Sequence, residues 1–97
     1  MFLKKYVSGL YLDIIYSNYD EEYINGLDEE NFTKIYNLFK EYNFYFIEDI
    51  ILNYLEIFEM DYDEVEDKLI ELKDLLGDNF VYIIGNDMKY LNKIIED

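Results

Sequence analysis

Asp61-Tyr62-Asp63-Glu64-Val65-Glu66-Asp67-Lys68-Leu69-Ile70-Glu71-Leu72-Lys73-Asp74-Leu75-Leu76-Gly77 is the stretch that decides the fold. Val65, Leu69, Leu72 and Leu76 follow one another at spacings of four, three and four, which is the step of one face of an α-helix. Asp61 has the short acceptor side chain of an N-cap, and Gly77 supplies the left-handed stop. Outward from this helix the same period recurs. Asp28 caps a helix whose buried face is Phe32, Ile35, Tyr36 and Phe39, and Asn43 closes it. A further helix near Phe46 to Tyr54 presents Phe46, Ile47, Ile50, Ile51 and Tyr54. Toward the N-terminus, Leu3, Val7, Leu10 and Ile14 form the stripe of a first helix at about residues 3–17. Beyond Gly77, Asp78 to Ile84 reads as a short helix ending at Gly85, and Asp87 caps a last one through Ile95. Phe80-Val81-Tyr82-Ile83-Ile84 has high β propensity, but a lone strand of this length has nothing to pair with, so helix is preferred. No segment sustains two-residue alternation or carries a Gly-rich hairpin turn. The expected fold is all-α, a compact bundle or short solenoid of about five to six helices, with Val65, Leu69, Leu72 and Leu76 buried alongside Ile50, Ile51 and Phe39.

An internal period runs under this pattern. Asp13-Ile14-Ile15 reappears as Asp49-Ile50-Ile51 and, more loosely, as Tyr82-Ile83-Ile84, at offsets of 36 and 33. Phe32, Tyr36 and Phe39 map onto Val65, Leu69 and Leu72, again at an offset of 33. Stacked helical units of this size bury a continuous core that no unit buries alone. Chance likeness among Ile-rich helices produces the same matches.

Composition narrows the function classes. The chain has 97 residues, which is one domain, large enough to bury a core without disulfides or metals. Twenty-three Asp and Glu stand against eight Lys, with no Arg, for a formal charge of -15. The abundant Phe, Tyr, Ile and Asn are spelled with AT-rich codons, and a genome of that kind supplies Lys freely. The shortage of Lys therefore points to acidity retained for a purpose. A charge this far from zero opposes self-association and steers the chain toward basic surfaces. Direct binding to nucleic acid is not expected, because affinity there comes from Lys and Arg neutralising phosphates. The absence of Cys removes thiolate nucleophiles and zinc-thiolate sites, and the absence of His removes the usual proton shuttle. There is no phosphate-cradling Gly loop and no Ser-His or Cys-His pair, and paired carboxylates are so common here that no partner residue selects one. Neither an enzyme nor a cofactor is expected. Met1 to Lys5 imitates the start of a signal peptide, but the apolar run from Tyr6 to Leu12 ends at Asp13 without a small-residue cleavage site. The expected location is the cytoplasm.

Six of the nine positions from Glu59 to Asp67 are acidic, the densest charge run in the chain. A calcium loop of the EF-hand type needs Gly at its sixth position, where this run has Glu66. Acids in a first helical turn favour the helix dipole, which accounts for Asp61, Asp63 and Glu64. Asp67, Glu71 and Asp74 lie beyond that turn. Together with Asp63 they form a solvated ridge opposite the apolar stripe, with carboxylates at i and i+4 about 6 Å apart. Ile70 sits on this charged face, either as one ordinary exposed apolar residue or as an apolar anchor inside an electrostatic rim. Glu64 and Lys68 are spaced for an i, i+4 pair. Asp20-Glu21-Glu22 and Asp28-Glu29-Glu30 repeat the acidic bias without nearby lysines. Twelve tyrosines exceed what a small core can satisfy, so several are expected at the surface with half-covered rings; Tyr16, Tyr19, Tyr23 and Tyr62 stand beside the acidic clusters. The candidate partner-binding residues are Asp63, Asp67, Ile70, Glu71, Asp74 and Tyr62, together with Asp20, Glu21, Glu22 and Tyr23.

Leu38-Phe39-Lys40-Glu41-Tyr42-Asn43-Phe44, Ile47-Glu48-Asp49-Ile50-Ile51, Asn53-Tyr54-Leu55-Glu56-Ile57-Phe58 and Val65-Glu66-Asp67-Lys68-Leu69 together resemble one repeat of the mitochondrial transcription termination factor (mTERF) family. The likeness covers about Leu27 to Lys93 and implies a helical-repeat architecture. Members of that family bind nucleic acid through a basic concave surface. Here Leu55 stands where the family usually has Pro and the basic groove is missing, so that role does not carry over. In size, charge and lack of catalytic residues the chain is also similar to phage-encoded inhibitors of host defence such as anti-CRISPR proteins. Immunity proteins that neutralise nuclease toxins share the same physics. The expected partner is a basic nucleic-acid-binding protein or nuclease complex, whose nucleic-acid site the acidic surface occupies. The rival expectation is a non-catalytic helical-repeat scaffold whose acidity only keeps it soluble.

Overall fold

The computed structural model describes Phe2 to Glu96. Among these residues the chain forms α-helices and short 3-10 turns and no strand. The α-helices are α1 (Gly9–Asn18), α2 (Glu21–Asn25), α3 (Glu29–Glu41), α4 (Ile47–Asn53), α5 (Tyr62–Leu76), α6 (Phe80–Asn86) and α7 (Asn92–Ile95). The 3-10 turns are Phe2–Lys5, Leu55–Glu59 and Met88–Leu91. The all-α expectation holds, and the extents of 37 × 24 × 22 Å are those of a bundle.

The two long helices end where their sequences dictate, and α3 begins so, whereas Asp61 holds the N-cap position of α5 without a capping bond from its side chain. The Asp28 carboxylate accepts from the Asn31 amide at 3.1 Å, fixing the start of α3. Asn43 leaves α3 in the left-handed region at φ 66°, and Gly77 leaves α5 at φ 85°. Phe32, Ile35 and Phe39 are fully buried on α3, as are Val65 and Leu69 on α5, with Leu72 close to it. Tyr36 and Leu76, at the margins of the two stripes, are half-buried. Ile50 and Ile51 of α4 join the same core.

The turn Leu55–Glu59 is the part of the core that helical periodicity does not predict. Leu55 and Phe58 stand one 3-10 turn apart on one side, and Ile57 faces another. All three are buried, and the turn packs against α3, α4 and α7. Phe58 stacks on Phe32 at 4.7 Å and lies 5.7 Å from Phe39. The Asn31 amide nitrogen donates to the carbonyls of Phe58 (3.0 Å) and Met60 (2.9 Å), which pins the turn to α3.

Three expectations need correction, and one helix has no counterpart in the sequence pattern. The first helix does not run through residues 3–17. Ser8 is extended (φ -69°, ψ 164°), and its amide donates to Glu48 Oε1 at 3.1 Å, so the chain restarts at Gly9 with a new phase. Leu3 and Val7 stay buried, but Leu10 is 69% exposed and Ile14 36%, while Ile15 turns inward. Gly85 does not end α6, which runs on to Asn86; the hydroxyl of Tyr45 lies 2.5 Å from where a Cβ on Gly85 would stand, so the glycine serves close approach. Asp87 caps a 3-10 turn, accepting from the Lys89 amide at 3.2 Å, and α7 follows that turn. The helix α2 was not expected. Its five residues are too few to show a period, and Asp20-Glu21-Glu22 supplies its N-cap and first turn.

Candidate partner-binding surface

α5 packs against α3, α6 and α7 through its buried stripe, which leaves the opposite face to solvent. Asp63, Asp67, Glu71 and Asp74 are exposed there, and Ile70 is 45% exposed among them. With 100° per residue, Asp63, Asp67, Ile70 and Asp74 fall within about 60° of arc along roughly 16 Å of helix. Lys68 and Lys73 flank this ridge on opposite sides, and Lys68 Nζ lies 3.9 Å from Glu71 Oε2. That contact replaces the expected Glu64–Lys68 pair. Lys68 leans toward the hollow it shares with Glu71, Leu72, Leu75 and Lys93, on the α7 side of α5 and away from Glu64.

Tyr62 is half-buried at the start of α5. With Asp63 it borders an open hollow of about 500 Å³, shared with Lys34, Asn37 and Glu41 of α3. Burial, with the nearby charges of Glu66 and Glu41, pushes its phenol above the ordinary tyrosine value.

Asp20, Glu21 and Glu22 are exposed around the N-terminus of α2. Tyr23 is half-buried beside them, stacked on Tyr19 at 5.4 Å with planes 19° apart. Its hydroxyl donates to Glu59 Oε2. Burial, then that hydrogen bond and the charge of Glu59, hold the Tyr23 phenol far above its usual range. Tyr19 is raised by burial first and then by Glu56 and Glu59.

Glu59 connects the two clusters. It binds Tyr23 of α2 and, with Asp28, Asn31 and Asp61, lines a hollow of about 330 Å³ at the start of α5. Through Glu59 the Tyr23 cluster touches the start of the acidic run that leads into α5. Glu56 and Glu59, which lie beside Tyr19 and Tyr23, are not among the candidate residues. Glu59 opens the densest acidic run, but its contact with Tyr23 spans 36 residues and leaves no local signal.

Across the described residues, lysine–carboxylate pairs within 4 Å are Lys5–Glu29, Lys34–Glu30 and Lys68–Glu71, so most carboxylates carry uncompensated charge. No group of described residues is arranged to hold a metal ion, and no described helix is long and apolar enough to cross a membrane.

The tyrosines make a prediction about alkaline stability. For Tyr19, Tyr23, Tyr42 and Tyr62 the folded-state pKa is raised above the unfolded one. Their contribution is complete below the unfolded value near 10 and is lost as pH rises through the folded values. Tyrosinate absorbance from these four residues should accordingly develop only as helical circular dichroism is lost above pH 10. Complete ionisation near pH 10 with the helices intact would contradict this.

No protein-family model, no curated protein and no solved structure matches this chain.

Proposed function

We propose that this protein is a non-catalytic inhibitor that occupies the basic nucleic-acid site of another protein, a nucleic-acid-binding protein or nuclease complex. The observation that supports this reading most is the α5 ridge. Asp63, Asp67, Glu71 and Asp74 present carboxylates at regular helical steps around an exposed Ile70, with Lys68 and Lys73 the flanking cations. Such a row offers basic side chains evolved for phosphates a spaced series of negative charges, and the -15 net charge draws a basic cleft toward it. The half-buried Tyr62 and Tyr23 extend this surface with rings that bury apolar area at low entropic cost. Phage counter-defence inhibitors of the anti-CRISPR type and toxin immunity proteins are the two biological settings this physics fits.

The experiment is capture on the immobilised protein, followed by binding kinetics at graded salt. The complex should weaken steeply as salt rises, because exposed charges are screened beyond about 8 Å at physiological ionic strength. Ile70→Asp should raise the dissociation rate about tenfold with little change in association, since an apolar anchor acts after docking. A complex indifferent to both salt and Ile70 would favour the scaffold reading, in which contacts are apolar and acidity only keeps the chain soluble.

A further inference from the structure

An open cleft of about 560 Å³ lies away from α5, between the N-terminal segment, α3 and the turn leading into α4. Tyr6, Tyr11, Tyr36, Tyr45 and Phe46 supply its aromatic walls, and its charged groups are Lys40, Glu48 and Asp49. The volume is that of a small-ligand site. Both carboxylates are held in place by one donor each. The Tyr11 hydroxyl donates to Asp49 Oδ1 at 2.8 Å, and the Ser8 amide donates to Glu48 Oε1 at 3.1 Å. One oxygen of each is left for a guest. Among the described residues neither acid has a lysine within 4 Å. Lys40, the cation of the cleft, instead rests 5.7 Å from the centre of the Tyr36 ring. The aromatic wall thus already holds a cation of the chain itself.

We propose that this cleft receives an arginine side chain of a basic partner protein. The guanidinium would lie on the tyrosine rings and donate to the unused oxygens of Glu48 and Asp49, displacing Lys40 from Tyr36. A planar guanidinium stacks on rings and meets carboxylates through paired N–H groups, whereas an ammonium is a strongly hydrated point charge. An anion would meet two carboxylates, and an uncharged guest would strip them of water without replacing its hydrogen bonds. The inference rests on the reading that the partner is basic. Because none of the cleft residues belongs to α5, the two contacts fail independently.

The test titrates acetyl-Gly-Arg-Gly-amide into the full chain at physiological salt, followed by amide chemical shifts, with lysine and norleucine peptides for comparison. Shifts are expected at Tyr36, Tyr45, Glu48 and Asp49, with the arginine peptide binding several-fold more tightly than the lysine peptide and the norleucine peptide not binding. Lys40→Ala should tighten arginine binding about three- to tenfold by freeing the ring and removing a like charge. Tyr45→Ala should weaken it by a similar factor without loss of helix, because Tyr45 is 69% exposed. Equal binding of the norleucine peptide, shifts confined to other surfaces, or Lys40→Ala leaving affinity unchanged or weaker would each overturn the proposal. Arginine binding in the cleft without a basic partner would sustain this site and remove the proposed function. A salt-sensitive complex through α5 with an inert cleft would do the reverse.

Discussion

Phe58→Ala is expected to destabilise the protein by about 3–5 kcal/mol, the usual effect of removing a buried aromatic ring. Domains of this size have roughly 5–15 kcal/mol in total, so the variant should be partly unfolded near physiological temperature. Phe58 is 1% exposed, stacked on Phe32 and close to Phe39, and it belongs to a turn that touches three helices. Leu69→Ala, in the centre of the α5 stripe, should cost about 2–5 kcal/mol by the same reasoning. Urea unfolding followed by circular dichroism measures both. A cost below about 1 kcal/mol for Phe58 would mean that the turn Leu55–Glu59 is not the centre of the core.

The second large effect concerns binding. Joint reversal of Asp63, Asp67 and Asp74 to Lys takes the formal charge from -15 to -9 and inverts the sign of the field along one face of α5. Affinity for a basic partner should fall by about two to three orders of magnitude, mainly in the association rate. Helix content should persist, because all three side chains are exposed and the buried stripe is untouched. The local penalty is the loss of Asp63 from the first turn of α5, about 0.3–1 kcal/mol. If the triple variant binds at wild-type strength, the acidic border around Asp20 to Tyr23 and Glu59 becomes the acting surface.

The long helices were legible because their end residues and periods agree in position, although the Asp61 side chain makes no capping bond. Asp28 and Asn43 bracket α3, Asp61 and Gly77 bracket α5, and the apolar steps between them repeat often enough to fix which side is buried. The first segment misled because Leu3, Val7, Leu10 and Ile14 keep helical spacing across a break. The contact that sustains that break joins the Ser8 amide to Glu48, forty residues away. α2 and the turn Leu55–Glu59 are too short to carry a period, and their positions are set by Tyr23 on Glu59 and by Asn31 on the carbonyls of Phe58 and Met60. The α5 ridge could be read from the helical wheel alone. The contact of the α2 cluster with Glu59, and the cleft of tyrosines around Lys40, depend on tertiary contacts that no local pattern encodes.

Competition for one site tests the central claim most directly. The captured partner, holding a fluorescent oligonucleotide, would be titrated with this protein while polarisation is followed, and the apparent affinity would be compared at several oligonucleotide concentrations. Mutually exclusive binding is predicted, with the midpoint rising in proportion to oligonucleotide concentration and the Asp63, Asp67 and Asp74 triple variant failing to displace it. A ternary complex, with oligonucleotide and protein bound together at unchanged affinities, would contradict the account.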